Sequence, residues 1–207
     1  MGARRRRGER AGLDAGRVLD TAMAMVARDG AGALTMRRLA AELGVEAMTL
    51  YHYVPSKQAL LDGIVERVVL EAVRVPPDAD RWQTMVKTYA YDLREALLAH
   101  PSVTPLLATR PALTEATSEA MEGVLEALGR AGLDPVTGLR LLHATTALVI
   151  GQVATQEDPS ASVGDLTIDP DRFPLLSAAV TGGAADPEAR FAFALDALVD
   201  GAGRAGR

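Results

Sequence analysis

Between Leu34 and Lys57 the chain reads LTMRRLAAELGVEAMTLYHYVPSK, and no other stretch restricts the fold so tightly. Thr35 is a helix-capping residue type, and the eight residues from Met36 to Leu43 put Leu39, Ala40 and Leu43 on one face at three- and four-residue spacing. Gly44 supplies the stop and Val45 the apolar plug of a turn. A second helix of about two turns is expected from Ala47 to Tyr53, and Pro55 biases Val54 out of helical geometry. Two short helices about a tight turn form a helix-turn-helix, a motif that lays its second helix in the major groove of DNA.

The charges around this motif point the same way. The N-terminal end of a helix carries partial positive charge and disfavours cations. Yet Arg37 and Arg38 sit in the first turn after Thr35, and Lys57 follows Ser56, the expected cap of the next helix. Any one of them alone reads as a solvated surface cation, misplaced by roughly a few tenths of a kcal/mol. Three together, with no acid close by in the sequence, read as a phosphate-binding set. In the second helix Leu50 and Val54 can face inward with Val45, which leaves Ala47, Met48, Thr49, Tyr51, His52 and Tyr53 outward. The aromatic hydroxyls and the imidazole can hydrogen-bond phosphates or base edges, and Ala47, Met48 and the Thr49 methyl suit contact with a thymine methyl. Packing against neighbouring helices is the alternative for Tyr51 and Tyr53, and for His52 the two readings stand level.

With these residues in view, the chain resembles the TetR family of ligand-responsive transcriptional repressors, through LTMRRLAAELGV, MTLYHYVPSK and QALLDGI, preceded by the helix RVLDTAMAMVARDG. The resemblance implies an all-α fold: an N-terminal three-helix helix-turn-helix DNA-binding domain, joined through a fourth helix to a larger helical ligand-binding and dimerisation domain. It implies a homodimer on a palindromic double-stranded operator. On this reading Arg37 and residues 47 to 49 contact bases, Thr35, Tyr51, Tyr53 and Lys57 fix phosphates, and His52 is a further contact. The likeness continues through DRWQTMVKTYAYDLREALLAHP, LLATRP and IGQVATQE, which look like the tetracycline repressor subgroup. The departures are informative. The magnesium-bound drug of that subgroup is held by histidines and an amide, and the positions aligned with them are Val73, Tyr89, Leu106 and Ala147. Of these only a tyrosine offers even a weak oxygen ligand. No metal, cofactor or tetracycline is therefore expected, and the effector is expected to be another small, lipophilic or amphipathic molecule.

Charge is distributed unevenly. Residues 1–57 hold ten Lys and Arg against six Asp and Glu, whereas the remaining 150 hold twelve against twenty-one, so the overall −5 hides a basic front end. This suits phosphate binding confined to one end. Arg4 to Arg7 read either as a flexible basic arm that tracks the DNA backbone or enters a minor groove, or as a disordered solubilising tail. There is no cysteine, hence no disulfide framework. No uninterrupted apolar run reaches the roughly 18 residues that span a bilayer, and the arginine-rich start resembles no signal peptide, so a cytoplasmic protein without a membrane partner is expected.

The domain plan is an arm over 1–13, a DNA-binding domain with its linking helix over 14–74, and a ligand-binding and dimerisation domain over 78–203. Helical periodicity predicts helices at about 14–29, 56–73, 80–99, 103–109, 112–131, 134–154, 173–181 and 187–201. Val75, Pro76 and Pro77 mark the boundary, and 156–170 read as a loop. Leu141 to Ile150 is apolar almost all round, and Phe191 to Val199 has a broad apolar face; both exceed what a lone exposed helix tolerates. Resemblance implies that they pair with their copies in a four-helix dimer interface, with intramolecular core as the alternative. Candidate ligand-binding residues are the polar Tyr89, Thr109, His143, Thr146 and Gln152, with Met85, Leu93, Leu106 and Leu113 as walls. His143 alternatively belongs to a hydrogen-bonded core.

Catalysis finds no support. The chain lacks G-x-S-x-G, H-E-x-x-H and a phosphate-cradling glycine loop, and its histidines, His52, His100 and His143, are scattered. The expected function is a DNA-binding repressor released by a small molecule. A helical small-molecule carrier with a vestigial DNA-binding end is the alternative, and the intact Arg37, Tyr53 and Lys57 count against it.

Overall fold

The computed structural model describes residues 13–73, 81–110, 113–155 and 168–205. Among the described residues there are helices and turns and no strand. α1 (Ala15–Asp29) starts at Asp14, whose carboxylate accepts the Arg17 N–H at 2.7 Å, and buries Val18, Ala22, Met25 and Val26. It closes at Gly30, at φ 78°, followed by a 3-10 turn at Ala31–Ala33.

α2 (Met36–Leu43) is capped by Thr35, whose hydroxyl oxygen accepts the Arg38 N–H at 3.2 Å. It ends at Gly44 in the left-handed conformation, φ 69°, with the Val45 N–H reaching back to the Ala40 carbonyl at 2.9 Å. That bond is the mark of a Schellman close, which satisfies carbonyls the helix end would otherwise orphan. α3 (Ala47–Leu50) is shorter than its periodicity predicts. Tyr51 to Tyr53 continue as a tight turn in which the His52 and Tyr53 N–H groups reach three residues back, to Thr49 and Leu50. Val54, which precedes Pro55, cannot take helical angles easily, so the last turn tightens instead of propagating. Leu50 is fully buried, while Val45 and Val54 are only half-buried, so Leu50 alone anchors α3 inside. α4 (Lys57–Ala72) starts under the Ser56 hydroxyl, which accepts the Ala59 N–H at 3.0 Å, and buries Leu60, Leu61, Ile64, Val65 and Val68 at three- and four-residue spacing.

The contacts divide the chain otherwise than by the single break expected between 74 and 78. One compact unit runs to Leu70 and also takes in Ala99–Ser118; the other comprises Glu71–Leu98 and the chain from Glu119. Side chains explain why the inserted segment joins the N-terminal helices. The 3-10 turn Pro101–Val103 packs on α1 and buries Val103. At the end of α6 (Thr104–Thr109), Arg110 donates to the Asp62 carboxylate at 2.9 Å and to the Gln58 amide oxygen at 3.1 Å. The arm, the Val75 to Pro77 boundary and most of the 156–170 loop lie outside the described residues.

In the second unit, α5 (Trp82–Ala99) buries Val86, Tyr89, Ala90, Leu93 and Leu97. α7 (Glu115–Arg130) leads through Gly132, at φ 89°, to α8 (Pro135–Ala154), which Asp134 caps with bonds from the Val136 and Thr137 N–H groups. α9 (Pro174–Ala179) buries none of its side chains and runs into a wide turn. α10 (Pro187–Ala205) packs on α8. Phe191 is fully buried in α10; its ring meets the edge of Tyr91 at 5.2 Å, and the Arg94 guanidinium lies 5.1 Å from it while pairing with Glu188 at 2.8 Å. α8 is, at 20 residues and mean hydropathy 1.2, long and apolar enough to cross a membrane, although only 33% of that stretch is buried. The uninterrupted-run count in the sequence missed it because Arg140 and His143 lie within the helix.

Truncating Phe191 removes a large ring from a filled site. Phe191→Ala is expected to destabilise the protein by about 3–5 kcal/mol, whereas Leu175→Ala on exposed α9 should stay within about 0.5 kcal/mol. Denaturant unfolding of the two variants checks this contrast, and equal midpoints would contradict it.

Candidate nucleic-acid interface

α2 and α3 pack on one another, so the helix-turn-helix presents the starts of both helices from one frame. At the start of α2, Thr35 uses its oxygen as the cap acceptor and keeps its own O–H proton for an outside acceptor. Arg37 is exposed and, among the described residues, forms no hydrogen bond or ion pair. On α3, Met48 is 71% exposed and Ala47 and Thr49 are half-buried. In the following turn Tyr51 and His52 are exposed and Tyr53 is half-buried. Lys57, half-buried, opens α4 and has no ion pair among the described residues.

Arg38 departs from expectation. Its guanidinium donates to the Asp29 carboxylate at 2.7 Å and to the Ala33 carbonyl at 2.9 Å, so an acid does offset this cation. Asp29 also meets Arg28, and Arg28 forms a two-pronged pair with Glu42 at 3.0 and 2.9 Å. The conflict of cations at helix starts is thus resolved inside the chain for Arg38 on α2 and, among the described residues, stays open for Arg37 on α2 and Lys57 on α4. Sequence reasoning missed this network because Asp29 lies nine residues from Arg38; an acid in the last turn of α1, itself at the wrong helix end, was the available signal. Hydrogen bonds from Arg28, with the Arg28 and Arg38 charges, outweigh partial burial and hold the Asp29 and Glu42 carboxyls below the ordinary carboxylate range. The bonds from Glu42 and then Asp29 hold the Arg28 guanidinium still more firmly protonated.

The ligand candidates divide between the two units. In the second, Tyr89 is buried and its hydroxyl lies 2.7 Å from the Thr146 hydroxyl. Thr146 spends its single proton on the Leu142 carbonyl at 2.9 Å, so Tyr89 is the donor. Leu93 is fully buried, and Met85 and Gln152 are half-buried. His143 is neither core nor interior: the buried stripe of Leu141, Leu142, Thr145 and Val149 turns it outward, into a shallow groove with Leu125, Val136, Leu139 and Arg140. Leu106, Thr109 and Leu113 belong to the first unit. Leu106 is buried, the Thr109 hydroxyl is satisfied by the Pro105 carbonyl at 2.9 Å, and Leu113, 79% exposed, lines with Thr109 an open, mostly polar concavity that also takes in Gln58, Asp62 and Arg110. Among the described residues no cluster of three His, Asp or Glu side chains suits a metal.

A helix-turn-helix with an arginine at the first helix start that has no partner among the described residues, and with an exposed, ring-bearing second element, defines the class as a DNA-binding transcription regulator. Residues 18–64 match the family described as bacterial regulatory proteins, tetR family, and residues 76–204 match the tetracyclin repressor-like C-terminal domain. The chain belongs to the TetR family, in its tetracycline-repressor-like subgroup, whose members are ligand-responsive transcriptional regulators rather than enzymes. It is 30% identical over 190 residues to the class D tetracycline repressor protein of Escherichia coli, covering 89% of this chain and 86% of that one. It is 30% identical over 156 residues to the HTH-type transcriptional repressor DrrR1 of Streptomyces coeruleorubidus, covering 75% and 58%. Among solved structures it is similar to the Streptomyces coelicolor TetR family protein ActR in complex with actinorhodin, at TM-score 0.78 and 27% identity over 95% of this chain and 99% of that one. A TetR variant of Acinetobacter baumannii AYE in complex with minocycline aligns at TM-score 0.73 and 26% identity, over 94% and 99%.

Burial pushes the Tyr89 phenol above the ordinary tyrosine value, against the smaller opposing effect of its bond with Thr146. The unfolded chain therefore loses this proton first as pH rises. The resulting stability is complete below the ordinary tyrosine value and fades above it. Tyr89→Phe should remove this alkaline loss in unfolding experiments run across that range; an identical pH profile in the variant would contradict the burial account.

Proposed function

We propose that the protein binds a palindromic operator as a homodimer and releases it when a small lipophilic molecule occupies the second unit. The observation that carries the first half is Arg37, exposed and unpaired among the described residues at a helix start that disfavours it. A phosphate or a guanine edge removes that conflict. On this proposal Arg37 with Ala47, Met48 and Thr49 reads bases, and Thr35, Tyr51, Tyr53 and Lys57 hold phosphates, with His52 beside them. Arg38 is left out of the contact set because its guanidinium is engaged by Asp29 and Ala33. The protein then works in the cytoplasm, where the DNA is.

The outward faces of α8 and α10 support the dimer. On α8, Ala144, Ala147 and Gly151 are exposed along one stripe; on α10, Phe193 is 77% exposed beside Ala197 and Gly201. Small residues let a second helix pair approach closely, and the two faces adjoin in a groove of about 340 Å³ lined by Leu141, Ala144, Ala197, Leu198 and Gly201. The effector class follows from Tyr89 and Thr146, neutral hydroxyls among apolar neighbours with no charge between them. The structures of similar proteins in complex with actinorhodin and with minocycline support a small-molecule effector. α4 runs unbroken from Lys57 to Ala72, so a shift at its far end changes the setting of a phosphate contact.

Two outcomes test this. Lys57→Ala and Tyr53→Ala should weaken binding on every sequence, Lys57→Ala flattening its salt dependence by about one phosphate and Tyr53→Ala, which removes a neutral donor, leaving the slope unchanged, while Arg37→Ala should alter the preferred sequence; equal loss on all duplexes for Arg37→Ala contradicts its base-reading role. Ala144→Arg should yield monomers by sedimentation and abolish tight operator binding, and a variant that remains dimeric contradicts the interface.

A further inference from the structure

We propose that Arg38 acts on DNA only indirectly, as a positioning residue within a four-charge clamp of Arg28, Asp29, Arg38 and Glu42 that aims Arg37. The inference rests on the DNA-binding reading above. The clamp joins the last turn of α1 to both ends of α2: Asp29 takes Arg38 at 2.7 Å, and Arg28 takes Glu42 in a two-pronged pair at 3.0 and 2.9 Å. Arg28 and Asp29 are themselves linked at 3.2 and 3.3 Å, so the four side chains form one connected array. The second guanidinium arm of Arg38 closes on the Ala33 carbonyl at 2.9 Å, which pins the turn between the two helices. Its backbone N–H bonds to the Thr35 cap. Arg38 is therefore held from both its main chain and its side chain.

Three of these charges sit at helix ends that disfavour them. Asp29 and Glu42 lie in C-terminal turns and Arg38 in an N-terminal turn. Arranged as opposite pairs, they cancel that disadvantage only while the two helices keep their mutual setting. That setting fixes the direction of the next side chain, Arg37, which is exposed and without a bond among the described residues. A planar guanidinium reading a base edge tolerates little misalignment, so the clamp governs contact quality rather than contact number.

This makes an unusual electrostatic forecast. Asp29 is an acid beside a DNA-facing surface, and its neutralisation would ordinarily raise affinity for a polyanion. If Asp29 holds the clamp, Asp29→Asn instead weakens binding to the preferred duplex, about tenfold, with the salt slope unchanged. Arg38→Gln does the same, and the exchanged pair Asp29→Arg with Arg38→Asp regains much of the affinity. Binding of the full-length chain and its variants to the selected duplex, across a salt series, reads all three. Circular dichroism melts confirm that each variant is folded at the temperature used, and Glu42→Gln, which leaves the Asp29–Arg38 contact intact, provides a milder second break with a smaller loss in the same direction. Tighter binding by Asp29→Asn, or an Arg38→Gln slope lower by about one phosphate, overturns the clamp and makes Arg38 a phosphate contact while leaving the DNA-binding reading intact. A wild-type chain that selects no duplex overturns both.

Discussion

Helix ends set the terms for the DNA-binding unit. Each end leaves backbone groups unsatisfied and a partial charge uncovered, and in a motif built from helices of eight and four residues those ends are most of the surface. Gly44 solves the first problem at the turn. Its left-handed backbone lets the Val45 N–H return to Ala40, and the chain is thereby delivered to α3 in the direction the motif requires. A residue with a Cβ pays a steric penalty of about 1 kcal/mol or more in that conformation. The second problem, the uncovered charge, is met partly by the protein and partly left open.

Where it is left open is informative. Arg38 is neutralised by Asp29, while Arg37, its neighbour on the chain, and Lys57, at the next long helix, have no ion pair among the described residues. A protein selected for stability alone gains nothing from cations at those ends. Unspent positive charge at two helix starts, on one side of a motif that carries Met48 and Tyr51 outward, is what a phosphate backbone requires. The second unit inverts this economy. Its polar pair, Tyr89 with Thr146, is internally satisfied and carries no charge, and α8 and α10 expose small and apolar residues, Ala144, Ala147 and Gly151 on one and Phe193 and Ala197 on the other.

Periodicity and capping chemistry carried the fold. The caps at Thr35, Ser56 and Asp14 and the stop at Gly44 are local signals, and each helix they delimit lies within a few residues of its expected bounds. α3 ended early because the effect of Pro55 on Val54 propagates back through a tightened turn, which helical periodicity does not register. Long-range pairing was not legible. Asp29 with Arg38, Arg28 with Glu42, and Arg110 with Asp62 join residues whose proximity depends on helix packing. The same dependence on packing pairs Arg38 where no nearby acid was expected, turns His143 outward, and brings the segment around α6 back onto the N-terminal helices. Tyr89 and Thr146 were named separately among the ligand candidates, and only folding joined them.

The central claim, that unpaired cations on a dimeric helix-turn-helix protein recognise a specific duplex, is tested most directly by selecting bound sequences from a random duplex library with the purified chain over several salt concentrations. The account predicts a palindromic consensus, bound by two chains, with affinity falling by roughly 0.9 log units per log unit of salt for each phosphate contacted. Recovery of no consensus, or of a single half-site bound by one chain, would contradict it.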